Sequence, residues 1–513
     1  MSITPVRRFL LLPVVVFSFL HLGRSALAQS GFQVSPDGTR VVFKSTANFV
    51  TELYTVKTTG GPTLKLNGPF FVDGDVLDFR ISPDSRRVVY LADQTFPDRF
   101  ELFSVSIDGG VPVKVTGPFI NQGDVLLAGN RGAFQISLDG SKVVYIADQL
   151  TNERFELFAA PIQGGGSSVR LNGPLIGSCD VEDFLLNPDR KTVVFGAEDL
   201  AQNDEDVFSA SLEGGRPVRL SDSPLYANNG YVLSADGKWV VYSQTVVTPD
   251  EETTELLAVP ADGSSPPIVL TAGEERLGNA TVTPDDSRVV YVAFHFATDT
   301  LEIFSVPIDA SSPPSQISPS LNIPFGMFGP FEAGTYRISP DGERVVYAAE
   351  TTQDGIYRLF SASIDGSGLP VELNGLLVPG GSIQRTFLGA GADSFRILPD
   401  GRVLYLADQD TLGVVELYNA PLLGGSEPIR VAPGVAVDGF RVAPGNEVVC
   451  RTEEGGLISV PVDGSQSAVE FASGPVVVFS IGVLGPRVVY IATGVGFFSV
   501  PIDGSQPPTP LVD

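Results

Sequence analysis

Six aspartates recur at repeated places in this chain and are its first candidates for chemistry. Asp75, Asp124 and Asp180 each stand six residues after a proline (Pro69, Pro118, Pro174), in segments reading GPFFVDGDV, GPFINQGDV and GPLIGSCDV. Acidic neighbours follow at Asp78, Glu182 and Asp183. Asp93, Asp148 and Asp408 are each the centre of an Ala-Asp-Gln triplet. A row of carboxylates supplies the oxygen donors of a hard cation such as Ca²⁺, or a counter-surface for a cationic partner. Asp also closes its own loop through Asx-type hydrogen bonds, and at a repeated position that role is the expected one. No organic cofactor is implied, and Ca²⁺ is the one metal ion the pattern leaves open.

Other constellations are missing. The only histidines are His21 and His295. A nucleophilic triad needs a His beside an activated Ser, and there is no G-x-S-x-G elbow. Common zinc sites need several His or Cys, and no phosphate-cradling G-x-x-x-x-G-K-[ST] loop occurs. Carboxylate-pair hydrolysis stays open only because acids are plentiful; no spacing singles out a pair.

Composition narrows the partners. The 513 residues hold 60 Asp+Glu against 33 Lys+Arg, a net charge of −27, which disfavours nucleic acid and anionic lipid. At 43% hydrophobic the chain is too apolar to be disordered. Two cysteines, Cys179 and Cys450, rule out a disulfide scaffold; both are expected as free thiols. The N-terminus reads as a secretory signal peptide over residues 1–28: Arg7 and Arg8, an apolar run from Phe9 to Leu22 interrupted by Pro13, and Ala26-Leu27-Ala28 as the cleavage site. The run is too short for a membrane span. A periplasmic or secreted location follows as an expectation.

The elements that must position these residues come from a repeat. A Val-Val-aromatic triplet or its variant ends at Phe43, Tyr90, Tyr145, Phe195, Tyr242, Tyr291, Tyr347, Tyr405, Cys450 and Tyr490, at intervals of 40 to 58 residues. Such a period is that of propeller blades. Each unit opens with an aromatic-led strand and a Ser-Pro-Asp-Gly turn, as in FQVSPDG from Phe32 and YRISPDG from Tyr336. After the Val-Val-aromatic strand and a variable loop comes a third strand such as ELFSVSIDGG from Glu101, closing in a hairpin signal. A short fourth strand follows (PVKVTG, SVRLNG). No helical period survives the Gly and Pro content. Trp239 falls in a second strand and reads as core.

The S-P-D-G-x-x-V-V-Y motif, followed by E-L-F-S-V-P-I-D-G-G, resembles the WD-like propeller repeats of the TolB family, over essentially all of residues 29–513. The resemblance implies an all-β propeller of about ten four-stranded blades, without the α/β domain that precedes the TolB propeller and without a peptidase domain. One ring is expected, with two smaller propellers in tandem as the alternative. In an up-and-down meander the Ser-Pro-Asp-Gly and Ile-Asp-Gly-Gly turns share one face. The variable second-to-third loops and the inter-blade loops share the other, and recognition belongs there. The expected function is an exported, non-catalytic scaffold that binds a protein or polysaccharide of the cell envelope. The alternative is a secreted carbohydrate-active or other hydrolase or lyase using acids in the central channel. His295, in the Gln place of an Ala-Asp-Gln loop, is expected as an ordinary loop residue.

Overall fold

The computed structural model describes residues 31–513 except 72–73, 121–122, 127–131, 166–167, 174–179, 200–203, 222–229, 248–251, 275, 296–297, 299, 323–335, 351–354, 385–393, 433–436, 473, 483–486 and 513. Signal peptide 1–28 and Cys179 lie outside the described residues.

Ten antiparallel meanders follow one another along the chain, each with its four strands in sequence order. We number them blades 1 to 10: residues 32–65, 76–114, 134–170, 180–219, 231–274, 276–316, 336–372, 395–430, 437–472 and 476–512. Blade 6 carries an extra two-residue strand, Leu321–Asn322, beside its third strand. There is no helix among the described residues.

The second strand explains why the sheets stack. Side chains alternate between the two faces of a strand, yet Val-Val-aromatic is apolar throughout. In blade 2, Val88 and Tyr90 pack against blade 1, whereas Val89 and Leu91 pack against blade 3. Both faces of every blade are therefore covered by a neighbour. Within a blade the aromatic of the second strand stacks on its partner in the third. Tyr90–Phe103, Tyr145–Phe158 and Tyr405–Tyr418 have ring centroids 5.5, 5.6 and 5.4 Å apart.

Ten apolar clusters fill the ten junctions, and the tenth joins the ends of the chain. There Phe32, Val41, Phe43 and Val56 of blade 1 meet Val489, Phe497 and Leu511 of blade 10. The Phe497 ring lies 5.0 Å from that of Phe32 and 5.5 Å from that of Phe43. The molecule is one closed ten-bladed propeller. Blades 1 and 10 each keep their own four strands, so packing between side chains, and no exchanged strand, closes the ring.

A second seam runs around the hairpins between third and fourth strands. In nine blades a glycine of this turn rests on the fourth strand of the preceding blade, as with Gly109 on Leu64, Gly164 on Val113 and Lys114, Gly214 on Val169, Gly424 on Val371, and across the closure Gly60 on Thr509; in blade 6 Ala310 takes the place, at φ of 54°. At Gly214 φ is +85° and an added Cβ would stand 2.5 Å from Val169 Cγ1, so conformation and space both require glycine.

The closure makes a sharp test. Phe497→Ala removes the ring that joins both ends and is expected to cost about 3–5 kcal/mol. A lowered urea midpoint together with a larger radius in X-ray solution scattering is the expected outcome.

Candidate functional site

The inter-blade loops and the second-to-third loops meet on one face, as the meander requires. Their repeated residues form a lacing of hydrogen bonds. The carboxylate of Asp93 reaches in two directions: Oδ1 accepts from the Asp75 amide at 2.6 Å, and Oδ2 from the Asp98 amide at 3.3 Å. Asp148 does the same for the amides of Asp124 (2.6 Å) and Glu153 (2.9 Å). Asp408 serves Ser382 (2.7 Å) and Gly413 (3.0 Å). Asp98, Glu153 and Gly413 all have positive φ, at 57°, 58° and 77°. A bond to each amide thus secures a left-handed turn at two non-glycine residues.

The Asp of the inter-blade loops points the other way along the ring. Asp75 Oδ1 accepts from the Thr51 amide at 2.6 Å, and Asp180 Oδ1 from the Phe155 amide at 2.9 Å, each in the third-strand hairpin of the preceding blade. Ser382 stands in the same place in blade 8, and its Oγ accepts from the Tyr357 amide at 2.9 Å. The glycine before this residue is set by space: an added Cβ would stand 2.6 Å from Asp148 O at Gly123, and 2.4 Å from Asp408 O at Gly381.

Gln completes the lacing. Gln94, Gln149 and Gln409 accept from the hydroxyls of Tyr90, Tyr145 and Tyr405 at 2.7, 2.8 and 2.8 Å. Burial raises the Tyr145 hydroxyl to about 12, so it stays a donor. His295, standing at the Gln place of blade 6, ends a strand (Arg288–His295) and faces Glu302, with Nε2 3.1 Å from Oε2.

The six aspartates are thus brought together as two pairs, Asp75 with Asp93 and Asp124 with Asp148, while Asp180 and Asp408 sit apart on the same face. Among the described residues no three His, Cys, Asp or Glu side chains gather as a metal site. Asp124 is the perturbed member. Burial, then the Asp148 charge, pushes its carboxyl up to about 6, against the pull of Arg99. Cys450 is a free, fully buried thiol.

Two features had no part in the sequence expectations. The first is the Glu that opens a third strand. Glu101, Glu156 and Glu416 are buried, and each meets a cation of the fourth strand: Lys114, Arg170 and Arg430. The recurring Glu-Leu-aromatic with Lys or Arg 13 or 14 residues later was the available signal. The second is a set of exposed apolar side chains at the tips of the same loops. Phe49 is 96% exposed, Phe71 70% and Phe96 55%, and Ile120, Leu150, Leu376 and Leu412 are also exposed. The Phe71 and Phe96 rings lie 6.3 Å apart. The Arg99 guanidinium sits between Phe96 and Phe119, 5.5 and 5.2 Å from their centroids. Phe71 and Ile120 share a place two residues after Pro69 and Pro118, whereas the other tips vary from unit to unit and no repeat marks them.

No family model matches the sequence, and no curated protein matches it. Solved structures similar in fold do exist. TolB proteins are among them. TolB from Acinetobacter baumannii is 16% identical with a TM-score of 0.27, over 55% of this chain and 64% of that one. A puromycin-hydrolyzing peptidase of Mycobacterium tuberculosis is 15% identical with a TM-score of 0.35, over 70% of this chain and 53% of that one. An oligogalacturonate lyase in complex with manganese is 12% identical with a TM-score of 0.36, over 74% of this chain and 96% of that one. This chain therefore spans about half the length of that peptidase and under two thirds of that TolB. Likeness at these identities concerns the propeller fold alone.

Two outcomes follow from the lacing. Asp148→Ala leaves the Asp124 and Glu153 amides without their acceptor, a loss of about 1–3 kcal/mol, so those amides should exchange hydrogen faster while core strands do not. Asp124 carries a pH signature. Its folded carboxyl holds a proton up to about pH 6, whereas an unfolded Asp releases it near pH 3.9. The stability this gives is full below the lower value and is lost as pH rises through the upper. Asp124→Asn should therefore gain melting temperature over the native chain as pH goes from about 4 to about 8, read by thermal melts across that range.

Proposed function

We propose that this chain is an exported, non-catalytic propeller scaffold that binds a partner of the cell envelope through its variable-loop face. The observation that carries the reading is a division of labour on that face. The repeated carboxylates accept bonds from backbone amides and hold the loops, while apolar side chains that change in type from unit to unit stand uncovered at the tips. The opposite face also exposes single aliphatic side chains (Val111, Leu369, Leu423), but the exposed aromatic rings among the described residues, Phe49, Phe71 and Phe96, all stand on the variable face, and exposed rings gathered on one face mark interaction sites. Loops on a rigid support are where recognition sits.

Export is part of the proposal and rests on the signal-peptide pattern of residues 1–28, with residues 29–513 as the propeller. Among the described residues no helix is long and apolar enough to cross a membrane. The proposed role for Asp75, Asp93, Asp124, Asp148, Asp180 and Asp408 is to fix the binding loops and lend the face a negative field. Ca²⁺ is not needed for that role.

The test is site-directed photocrosslinking in envelope extract. Crosslinkers at positions 71, 120, 150 and 376 report the variable face, and at 111, 369 and 423 the opposite one. Adducts confined to the first set are expected. Adducts confined to the second set would overturn the reading, as would turnover of a peptide or oligosaccharide panel abolished by substituting a channel acid.

A further inference from the structure

We infer that the arc of loops over blades 1 to 3 receives an extended, basic polypeptide segment of a partner protein. The inference rests on the scaffold reading above and names the chemistry of what is bound.

The arc is continuous. Phe71, in the loop between blades 1 and 2, donates its amide to Gln94 O at 3.2 Å, and its ring faces Phe96, two residues beyond Gln94. From Phe96 the path runs through the Arg99 guanidinium to Phe119, which the Lys114 ammonium also overlies at 5.7 Å. Ile120, next in sequence, donates its amide to Gln149 O at 3.2 Å and so stands beside exposed Leu150. The face is therefore a run of rings and aliphatic groups crossing two blade junctions.

Phe49 adds an independent observation. It occupies the two-residue turn of the blade 1 hairpin with Asn48, at φ of 66° and 51°. Such a turn wants positive φ at both places, which Asn and Gly accept and a bulky residue resists. A left-handed Phe costs about 1–2 kcal/mol, and at 96% exposure it recovers nothing from packing in this chain. An outlier of this kind points to a contact made in a complex.

Charge and spacing define the occupant. The open charges at the tips of these loops are acidic, Asp98 and Glu153, in a chain of net charge −27. The cations Arg99 and Lys114 are held by Glu101. The exposed Phe71 ring and the open acids together suit Lys or Arg, whose cations stack on aromatic faces while long-range attraction draws them in. Isoleucine, leucine and phenylalanine tips offer no hydroxyl or amide to a sugar, but they do offer apolar anchors to aliphatic side chains. The 6.3 Å between Phe71 and Phe96 matches the rise over two residues of an extended strand, about 6.6 Å. Alternate side chains of one strand would meet successive rings.

The experiment measures fluorescence polarisation of three labelled probes against the full chain: six Lys-Leu repeats, six Glu-Leu repeats, and a neutral glucan hexamer. The Lys-Leu probe should bind and the Glu-Leu probe should not. Phe71→Ser with Phe96→Ser should weaken binding about tenfold or more. Asp98→Asn with Glu153→Gln should weaken it and flatten its salt dependence. Val111→Ser with Leu369→Ser, on the opposite face, should change nothing. Equal binding of Lys-Leu by the Phe71/Phe96 variant, or preference for the glucan, overturns this inference. If glucan binding is then lost in that variant, the scaffold reading stands and only the partner chemistry falls. If no variable-face substitution affects any probe or crosslink, both fall. Unchanged melting curves for these exposed substitutions exclude misfolding.

Discussion

Every sheet in this molecule is apolar on both faces, and a sheet with two apolar faces must be covered twice. A straight row of such sheets would leave a bare face at each end. A closed ring leaves none. Val-Val-aromatic meets that demand in the smallest space, because alternation sends Val88 and Tyr90 one way and Val89 the other. The chain ends obey the same rule: Phe32 and Phe43 find Phe497 as any inner blade finds its neighbour. The junction between first and last blades therefore needs no exchanged strand. It does need close approach at the rim, which is why the turn glycines recur as far as Gly60 against Thr509.

Closure by packing shifts the polar problem to the loops. Inter-blade loops descend between sheets and carry backbone amides away from water, where an amide without an acceptor is costly. The Asp of Ala-Asp-Gln and the Asp of Gly-Asp-Val are the acceptors, and each ties elements of different origin: its own hairpin, the incoming loop, or the preceding blade. Lacing of this kind transmits the rigidity of the ring to its face. Each carboxylate oxygen so used accepts one amide bond. Repetition and recognition are in this sense opposed: what recurs at equivalent places serves the architecture, and the proposed recognition falls to side chains that change in type from unit to unit.

That opposition sets how much was legible in the sequence. The all-β class, the strand order within a blade and the assignment of faces came from Ser-Pro-Asp-Gly, Val-Val-Tyr and Ile-Asp-Gly-Gly, because turn chemistry and period-two patterns are local. One ring against two was not local. It depends on Phe32 meeting Phe497, some 465 residues apart, and no interval in the repeat encodes it. The aspartates were visible as carboxylates, but their partners are amides on other loops, such as Thr51 for Asp75, and amides leave no mark on sequence. Glu101 and Lys114 carried a signal at fixed separation that reading by strand overlooked, since a Glu at the head of an apolar strand looks like a solvent-side residue until the fourth strand covers it. Phe49 and Phe96 had no repeat to announce them, and Phe71 shared only its place, two residues after a proline, with Ile120.

In the proposed role, a ring this large serves a small recognition surface by holding it rigid. An exposed ring on a free loop would lose its freedom on binding, at about 0.5–1.5 kcal/mol for each side chain immobilised. Here the ordering is done in advance. Phe71 is tied to Gln94 through its backbone, Phe96 is steadied by Arg99, and Arg99 is in turn held between Phe119 and the buried Glu101. These links tie the blade 2 hairpin to the loops that enter and leave that blade, so their spacing is fixed by the blade-to-blade packing beneath. A change in that packing would move the rings of the proposed site without touching any of them. The apolar junctions and the proposed binding face are therefore one mechanical unit, with the hydrophobic demand of the sheets setting the separation of the rings that a partner of the proposed kind would meet.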